Sequence, residues 1–140
     1  MSFLLILSTG LYLAFILYII AGLFRHNEQP ITSTEETPFV SVVIAARNEE
    51  QNLPDLIQDL VNQEYPLDKL EVIIVDDRST DSTPTILTEA TENFAFIKQI
   101  RVDDRSVDMT PKKHALNLGI NASKGEIIVS TDADCRVGKL

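Results

Sequence analysis

An uncharged, apolar segment at the start of the chain divides the sequence into two parts. Residues 3–24 carry no charged side chain, and an apolar helix of about 20 residues is enough to cross a bilayer. A signal peptide is the alternative, but it would begin with basic residues and have an apolar core of only about 7–15 residues. Because the segment lacks a basic start and is longer than such a core, we predict a transmembrane helix over residues 3–24.

The flanks of that segment predict its orientation. Arg25 and His26 follow it, whereas only the terminal amine precedes it. Basic residues tend to remain on the cytoplasmic side, so we expect a single-pass protein of the cell membrane whose remaining residues lie in the cytoplasm. Residues 25–38 are polar and contain two prolines, which predicts a linker between the membrane and a folded domain.

The rest of the chain is acidic. The sequence has 12 Lys and Arg against 21 Asp and Glu, a net charge of -9, and all of these charges lie after residue 24. This balance argues against nucleic acid as a partner bound through bulk charge. A phosphorylated ligand would need a metal or local basic residues to offset the repulsion. Cys135 is the single cysteine, which excludes an intrachain disulfide and a C-x-x-C zinc site.

Strand and helix patterns alternate after the linker. Helical patterns begin near Leu53, Pro84 and Pro111, and each proline fits a first helical turn. The alternation predicts an α/β domain with a parallel sheet over residues 39–140. The predicted strands are residues 39–45, 70–75, 95–102 and 127–129. The last of these is short, apolar and β-branched, so we expect a buried strand there.

Acidic residues follow two of the predicted strands. Asp132 and Asp134 follow the last strand as a D-x-D pair, and Asp76 and Asp77 directly follow the second. Ligands bind beyond the carboxyl ends of parallel strands, and carboxylate oxygens suit Mg²⁺ or Mn²⁺. The alternative is that Asp132 and Asp134 are turn and helix-cap residues. The second acidic strand end favours a ligand site.

A basic pair stands at the start of the third helical pattern. Lys112 and Lys113 follow Pro111 and fall in the first turn, where the helix dipole disfavours positive charge. Their position indicates an anion such as a diphosphate near that helix end. A solvated basic surface is the alternative.

Four motifs in a fixed order carry a family resemblance. VSVVIAARNEE, VIIVDDRSTDST, KKHALNLGI and STDAD follow one another within residues 38–136. In this order they resemble the family 2 glycosyltransferases of the type A fold, and are most similar to the membrane-bound enzymes related to cellulose and poly-N-acetylglucosamine synthases. The resemblance implies a Rossmann-like parallel sheet that binds a nucleotide diphosphate sugar and a divalent metal, Mg²⁺ or Mn²⁺.

The resemblance also implies roles for individual residues. Asp76 or Asp77 would meet the base, typically uracil, and Lys112 would approach the diphosphate. The residues that would line the nucleoside pocket are Ala45, Arg47 and Glu49, and those that would hold the metal and diphosphate are Asp132 and Asp134. The implied reaction is inverting transfer of the sugar, from a UDP-sugar in the typical case, to a glycan or lipid acceptor.

Departures from the family pattern leave alternatives open. Pro111 stands where the family usually has glycine, and the family's catalytic base and Q-x-x-R-W type motif come later than Asp134. We therefore expect residues 39–140 to be a truncated, donor-binding part with no catalytic base of its own. The alternative is a non-catalytic, membrane-tethered nucleotide-sugar-binding or interaction module. A phosphatase of the haloacid dehalogenase type also has D-x-D after a strand, but Arg136 stands where that pattern needs Thr or Val.

Other nucleotide-binding and hydrolytic motifs are missing from the sequence. It contains no G-x-G-x-x-G after the first strand, no G-x-x-x-x-G-K-[ST] and no G-x-S-x-G. A dinucleotide-binding domain, a P-loop and a hydrolase nucleophile elbow are therefore not expected.

Overall fold

The structure, a computed structural model, describes residues 2–24, 37–104 and 106–138. The chain divides into two compact units, Met1–Glu36 and Thr37–Leu140, and each is described by itself.

The described residues of the first unit form one helix, α1. It spans Ser2–Phe24, in agreement with the position predicted for a membrane span. Its stretch Phe3–Gly22 is long and apolar enough to cross a membrane, and none of it is buried. A signal sequence can have the same length and composition. Most of the predicted linker, residues 25–36, lies outside the described residues.

The second unit is a parallel α/β domain, as the alternating pattern predicts. Its four strands lie in the order β3-β2-β1-β4, and every neighbouring pair is parallel. A short 3₁₀ helix, Leu67–Lys69, precedes the second strand. The elements in chain order are β1 (Val40–Ala46), α2 (Leu53–Val61), β2 (Leu70–Asp76), α3 (Thr83–Asn93), β3 (Ile97–Arg101), α4 (Pro111–Ala122) and β4 (Ile127–Asp132).

Helices cover the two faces of the sheet unequally. Four buried apolar residues of α2, at the helical spacing read in the sequence, pack with Leu87 of α3 against one face. Ala115 of α4 packs against the other face, on Ile73 and Val75 of β2. All seven residues of β2 are buried as a result, which explains the apolar run over residues 72–75.

The approach of α4 to the sheet depends on Gly119. This residue is buried in the helix, and a Cβ placed there would run into the side chain of Val43 and lie 3.1 Å from Cγ2 of Val75. The missing side chain therefore lets the helix backbone lie close against β1 and β2.

One prediction about the sheet is wrong. Ile127, Ile128 and Val129 form a strand, but they are 47%, 44% and 46% exposed rather than buried. Among the described strands, β4 lies at the edge of the sheet and pairs with β1 alone. Within the part of the chain that the structure describes, no helix makes extensive contact with β4, whereas α4 lies against both β1 and β2.

Candidate functional site

A cavity of about 410 Å³ opens at the carboxyl ends of β1, β2 and β4. The parallel register builds it, because Ala45 is level with Val75 on one side and with Asp132 on the other. The cavity is lined by Ala45, Ala46, Arg47, Glu49, Asp77, Thr110, Pro111, Lys112, Asp132, Ala133 and Asp134. Every site residue predicted from the sequence is therefore brought together here except Asp76.

Asp132 and Asp134 lie in one tight turn at the carboxyl end of β4. Asp132 is the last residue of β4, and the N–H of Cys135 donates to its backbone carbonyl at 3.2 Å. Ala133 between them is buried, whereas both aspartates are exposed. Both acids of the D-x-D pair therefore lie on the solvent side of the turn and in the cavity wall.

The first turn of α4 brings a positive charge to this pair. Nζ of Lys112 lies 2.7 Å from Oδ1 of Asp132. That hydrogen bond, aided by the charges of Asp132 and Asp134, raises the pKa of Lys112 above its usual value. Lys112 therefore stays charged at the cavity wall, while Lys113 is not among the lining residues.

The donor set fits a divalent cation that takes part of its coordination from a ligand. The carboxylates of Asp132 and Asp134 supply hard oxygen atoms, and the Lys112 ammonium already bonded to Asp132 marks a position that favours positive charge. Among the described residues, no group of three or more His, Cys, Asp or Glu could hold an ion. A pair of protein carboxylates suits Mg²⁺ or Mn²⁺, which complete their coordination shells with water and substrate phosphate.

Asp77 forms the opposite wall and is held between two arginines. Its side chain is 6% exposed. Oδ1 accepts from both Nε and Nη2 of Arg78, at 2.9 and 2.6 Å, and Nη1 of Arg47 lies 3.6 Å from Oδ2. The two arginines offset the charge that an acidic domain would otherwise place against an anionic ligand.

Asp76 has a different place from its neighbour. It is fully buried and does not line the cavity. Its Oδ1 accepts the N–H of Ser79 at 2.9 Å, and its Oδ2, with no hydrogen-bond partner among the described residues, lies 4.0 Å from Nε of Arg101. Of the two aspartates at the carboxyl end of β2, Asp77 faces the site and Asp76 shapes the loop that carries it.

Hydrogen bonds between the loops after β1 and β2 fix the walls of the cavity. Asn48, which makes two of these bonds, was not predicted from the sequence as a site residue. The N–H of Asn48 donates to Oγ of Ser79 at 2.9 Å, and its Oδ1 accepts the N–H of Thr80 at 2.8 Å. Asn48 adopts a left-handed φ of 57°, which Asn tolerates better than most residues. An Asn between two cavity residues, Arg47 and Glu49, was the available signal.

The same two loops are joined further along. The N–H of Glu49 donates to Oγ1 of Thr83 at 2.8 Å. Glu50 and the start of α3 bond reciprocally: its N–H donates to Oδ2 of Asp81, and its Oε2 accepts the N–H of Ser82. Glu50 therefore serves the neighbouring helix end, while Glu49 reaches the cavity.

Comparison with protein families identifies the domain. The model of the family described as Glycosyl transferase family 2 matches residues 41–139. A beta-monoglucosyldiacylglycerol synthase of Nostoc sp. is 40% identical over 113 residues, which cover 81% of this chain and 23% of the relative. A probable glycosyltransferase, YdaM of Bacillus subtilis, is 37% identical over 125 residues, covering 84% of this chain and 30% of the relative. The chain thus spans about a quarter to a third of the length of these relatives.

Solved structures share the fold of the domain. The mannosyltransferase PcManGT from Pyrobaculum calidifontis, in complex with GDP-Man and Mn²⁺, has a TM-score of 0.71 and 30% identity over 87% of this chain and 35% of its own. TarS of S. aureus, residues 1–349, has a TM-score of 0.62 and 30% identity over 71% of this chain and 28% of its own. TarS in complex with UDP-GlcNAc has a TM-score of 0.57 and 29% identity over 68% of this chain and 26% of its own.

Proposed function

The chain belongs to glycosyl transferase family 2, and we propose that residues 39–140 are the donor- and metal-binding part of a membrane-anchored, inverting glycosyltransferase. Its donor is a nucleotide diphosphate sugar, of the UDP type, and its acceptor is a glycan or a lipid. The cavity at the strand ends carries the proposal, because it combines a pair of exposed carboxylates with two basic side chains and a buried carboxylate in one space.

The diphosphate would lie between the two kinds of charge. Asp132 and Asp134 would hold a divalent cation, and Lys112 and Arg47 would face the phosphate oxygens from the adjoining walls. The Lys112 ammonium lies within hydrogen-bond distance of Asp132, so it can serve that carboxylate and a phosphate bound beside it. Local basic residues of this kind are what an acidic domain needs to bind an anion.

The nucleoside would occupy the side of the cavity formed by the first two loops. Ala45, Arg47 and Glu49 line that side. Oδ1 of Asp77 already accepts hydrogen bonds from Nε and Nη2 of Arg78. Oδ2 lies 3.6 Å from Nη1 of Arg47, too far for a hydrogen bond, so Oδ2 can accept an N–H from a base such as uracil. The structure of TarS with UDP-GlcNAc supports a uridine donor, and that of PcManGT with GDP-Man makes guanosine the comparison to test.

The chemistry of transfer would divide between the cation and the residues around it. A divalent cation supplies charge neutralisation on the departing diphosphate. Lys112 would add a hydrogen bond to the same oxygens, and the Asp77 loop would hold the nucleoside in place. The carboxylate base that the resemblance implies for the acceptor hydroxyl has no assigned residue in this chain.

The membrane part of the proposal rests on the first unit. α1 would anchor the domain in the cell membrane as a single span, with Arg25 on the cytoplasmic side. The Nostoc relative is named a beta-monoglucosyldiacylglycerol synthase, and this name supports a lipid acceptor. A membrane-anchored domain would meet such an acceptor at the bilayer surface.

Calorimetric titration of the full chain in non-ionic detergent tests the donor site. UDP and GDP are titrated with and without Mn²⁺ into the wild type, Asp132→Ala and Asp134→Ala. Asp68→Ala is the matched control, because it removes an exposed carboxylate at the opposite end of the sheet. We expect Mn²⁺-dependent UDP binding that is lost in the first two variants and kept in the control.

A folded wild type that binds neither nucleotide would refute the donor site. Release of UDP from UDP-sugars, measured on the same samples, separates the two functions considered for the chain. Binding with acceptor-dependent release supports the transferase, and binding without release on any acceptor supports the non-catalytic, nucleotide-sugar-binding module.

A further inference from the structure

The position of Asp134 depends on contacts beyond the sheet. The ladder that joins β4 to β1 ends at the pair Ala45 and Asp132, so the sheet fixes Asp132 but not the residue two positions later. The turn between them is closed by the bond from Cys135 to Asp132. Ala133 anchors the inner side of this turn in the core, and the contacts of the residues after Cys135 decide how firmly its outer side, with Asp134, is held.

Arg136 ties the segment after the turn to α2. Its Nε and Nη2 donate to Oδ2 and Oδ1 of Asp59, at 2.7 and 2.9 Å, in a two-pronged pair. Its Nη1 donates to Oδ2 of Asp55 at 2.7 Å. Asp55 and Asp59 are four residues apart on one face of a helix, where like charges repel, and the guanidinium between them reverses that repulsion. Paired, planar contacts of this kind also fix direction, which a lysine cannot do.

The backbone of the same segment is held as well. The N–H of Val137 donates to Oδ2 of Asp59 at 3.1 Å, and Nε2 of Gln63 donates to the carbonyl of Gly138 at 3.1 Å. The Val137 side chain packs on the apolar cluster between α2 and the sheet. The hydrogen bond from Arg136 is the main cause that lowers the pKa of Asp59, so this carboxylate stays ionised at neutral pH.

We infer that Arg136, held by Asp55 and Asp59, is a positioning residue that sets the place of Asp134 relative to Asp132 for a divalent cation. The inference rests on the proposed function of this pair. α2 is a firm support because four of its side chains are buried in the core. A small divalent ion requires its ligands at defined distances, so freedom at Asp134 costs affinity even where both carboxylates remain.

Direct measurement of Mn²⁺ affinity tests the inference without an activity assay. Free Mn²⁺ is followed by electron paramagnetic resonance in the full chain, in non-ionic detergent and at saturating UDP. Arg136→Met keeps the length of the side chain and removes the fork, and Asp59→Asn removes its main partner. Loss of groups that orient metal ligands typically costs 10- to 100-fold in metal affinity, so we expect a loss of about tenfold in each of these two variants.

Two further variants separate positioning from general stabilisation. Asp55→Asn removes only the single contact to Nη1 and should lose less affinity than Asp59→Asn. Arg136→Lys keeps the charge without the fork and should recover only part of the loss. UDP binding without metal, and the midpoint of thermal unfolding, should change little in all four variants, because Arg136 and Asp55 are exposed and no variant removes one of the buried apolar side chains of α2.

The outcomes are distinct. Wild-type Mn²⁺ affinity in Arg136→Met and Asp59→Asn, with loss in Asp134→Ala, overturns the positioning role and leaves the metal site standing. Equal losses of Mn²⁺ affinity, metal-free UDP affinity and thermal stability also overturn it, because they indicate a structural role only. A folded wild type that binds no Mn²⁺ with UDP overturns the proposed function, and this inference with it.

Discussion

The carboxylate of Glu71 offers a direct test of the contacts that hold the amino-terminal end of the sheet together. Glu71 is buried near the start of β2. Its Oε1 accepts the hydroxyl of Ser41 in β1 at 2.5 Å and the N–H of Lys124 at 2.6 Å, and its Oε2 accepts Nζ of Lys98 in β3 at 2.6 Å. One side chain therefore joins three strands and the turn that leads into β4.

The ionisation of Glu71 gives this network a pH dependence with a defined sign. Burial alone would raise the pKa of Glu71, but the hydrogen bonds from Lys98, Ser41 and the Lys124 N–H outweigh it and hold the pKa below its usual value. In the unfolded chain the carboxyl has the usual value and takes up its proton first as the pH falls. The stabilisation is therefore complete above the usual pKa of glutamate and is lost as the pH falls through the lower value of the folded state.

The magnitude can be worked out from the change that a Glu71→Gln substitution makes. The amide keeps a carbonyl oxygen for the donors of Ser41 and Lys124, but it turns a neutral group towards Lys98. A hydrogen bond to a charged group is worth about 1.5–3 kcal/mol. Because the Lys98 side chain is 47% exposed, solvent screens part of this, and we expect the free energy of unfolding to fall by about 1–2 kcal/mol at pH 7.

Urea denaturation followed by far-ultraviolet circular dichroism measures this difference. The full chain is examined in non-ionic detergent at pH 7 and at steps below pH 5, with Glu92→Gln as the control because Glu92 is an exposed glutamate of α3. The gap between wild type and Glu71→Gln should shrink as the pH falls. Equal stability of Glu71→Gln and the control at pH 7, or a gap that widens on acidification, would refute the reasoning.

Three further substitutions probe the sheet contact and the site. Gly119→Val places a side chain against Val43 and should lower the free energy of unfolding by about 1–3 kcal/mol in the same urea assay. Asn48→Ala should be less stable than Asn48→Gly by about 1 kcal/mol, since both lose the Thr80 bond but only alanine is strained at a φ of 57°; urea titration of the two variants checks this. Lys112→Met should weaken UDP binding with Mn²⁺ roughly tenfold, or about 1.4 kcal/mol. Calorimetry should also show tighter Mn²⁺ binding without nucleotide in this variant, because its ammonium no longer competes for Asp132.

The elements were predictable because apolar periodicity and turn residues are local properties. The third strand shows the limit of such prediction. An apolar pattern over residues 95–102 predicts a longer strand than Ile97–Arg101. Its carboxyl end coincides with that of its partner, since Arg101 pairs with Asp76, the last residue of β2. Its start follows a turn in which the N–H of Ile97 donates to the carbonyl of Phe94. The sequence of one strand does not specify where its partner strand ends.

The exposure of β4 shows the same limit for burial. Its apolar run predicts a strand correctly, but burial depends on which elements lie on either side of it. For the site, the rule that ligands bind at the carboxyl ends of strands predicted correctly that Asp77, Asp132 and Asp134 lie in one cavity. It could not tell Asp76 from Asp77, because adjacent residues of a strand end point in opposite directions and only the loop beyond them decides which one faces the cavity.

The place of the cavity is explained by the order of the strands. The chain runs from β1 outwards to β2 and β3, and then returns to the other side of β1 to form β4. Crossovers between parallel strands are right-handed, so a reversal of direction moves the connecting helix to the other face, as seen for α4 against α2 and α3. The strand order reverses between β1 and β4, and a crevice lies at the carboxyl ends of these two strands. Arg47 and the Asp132–Asp134 turn both line that crevice, so the charges proposed to bind a diphosphate and its cation meet at the point where the strand order reverses.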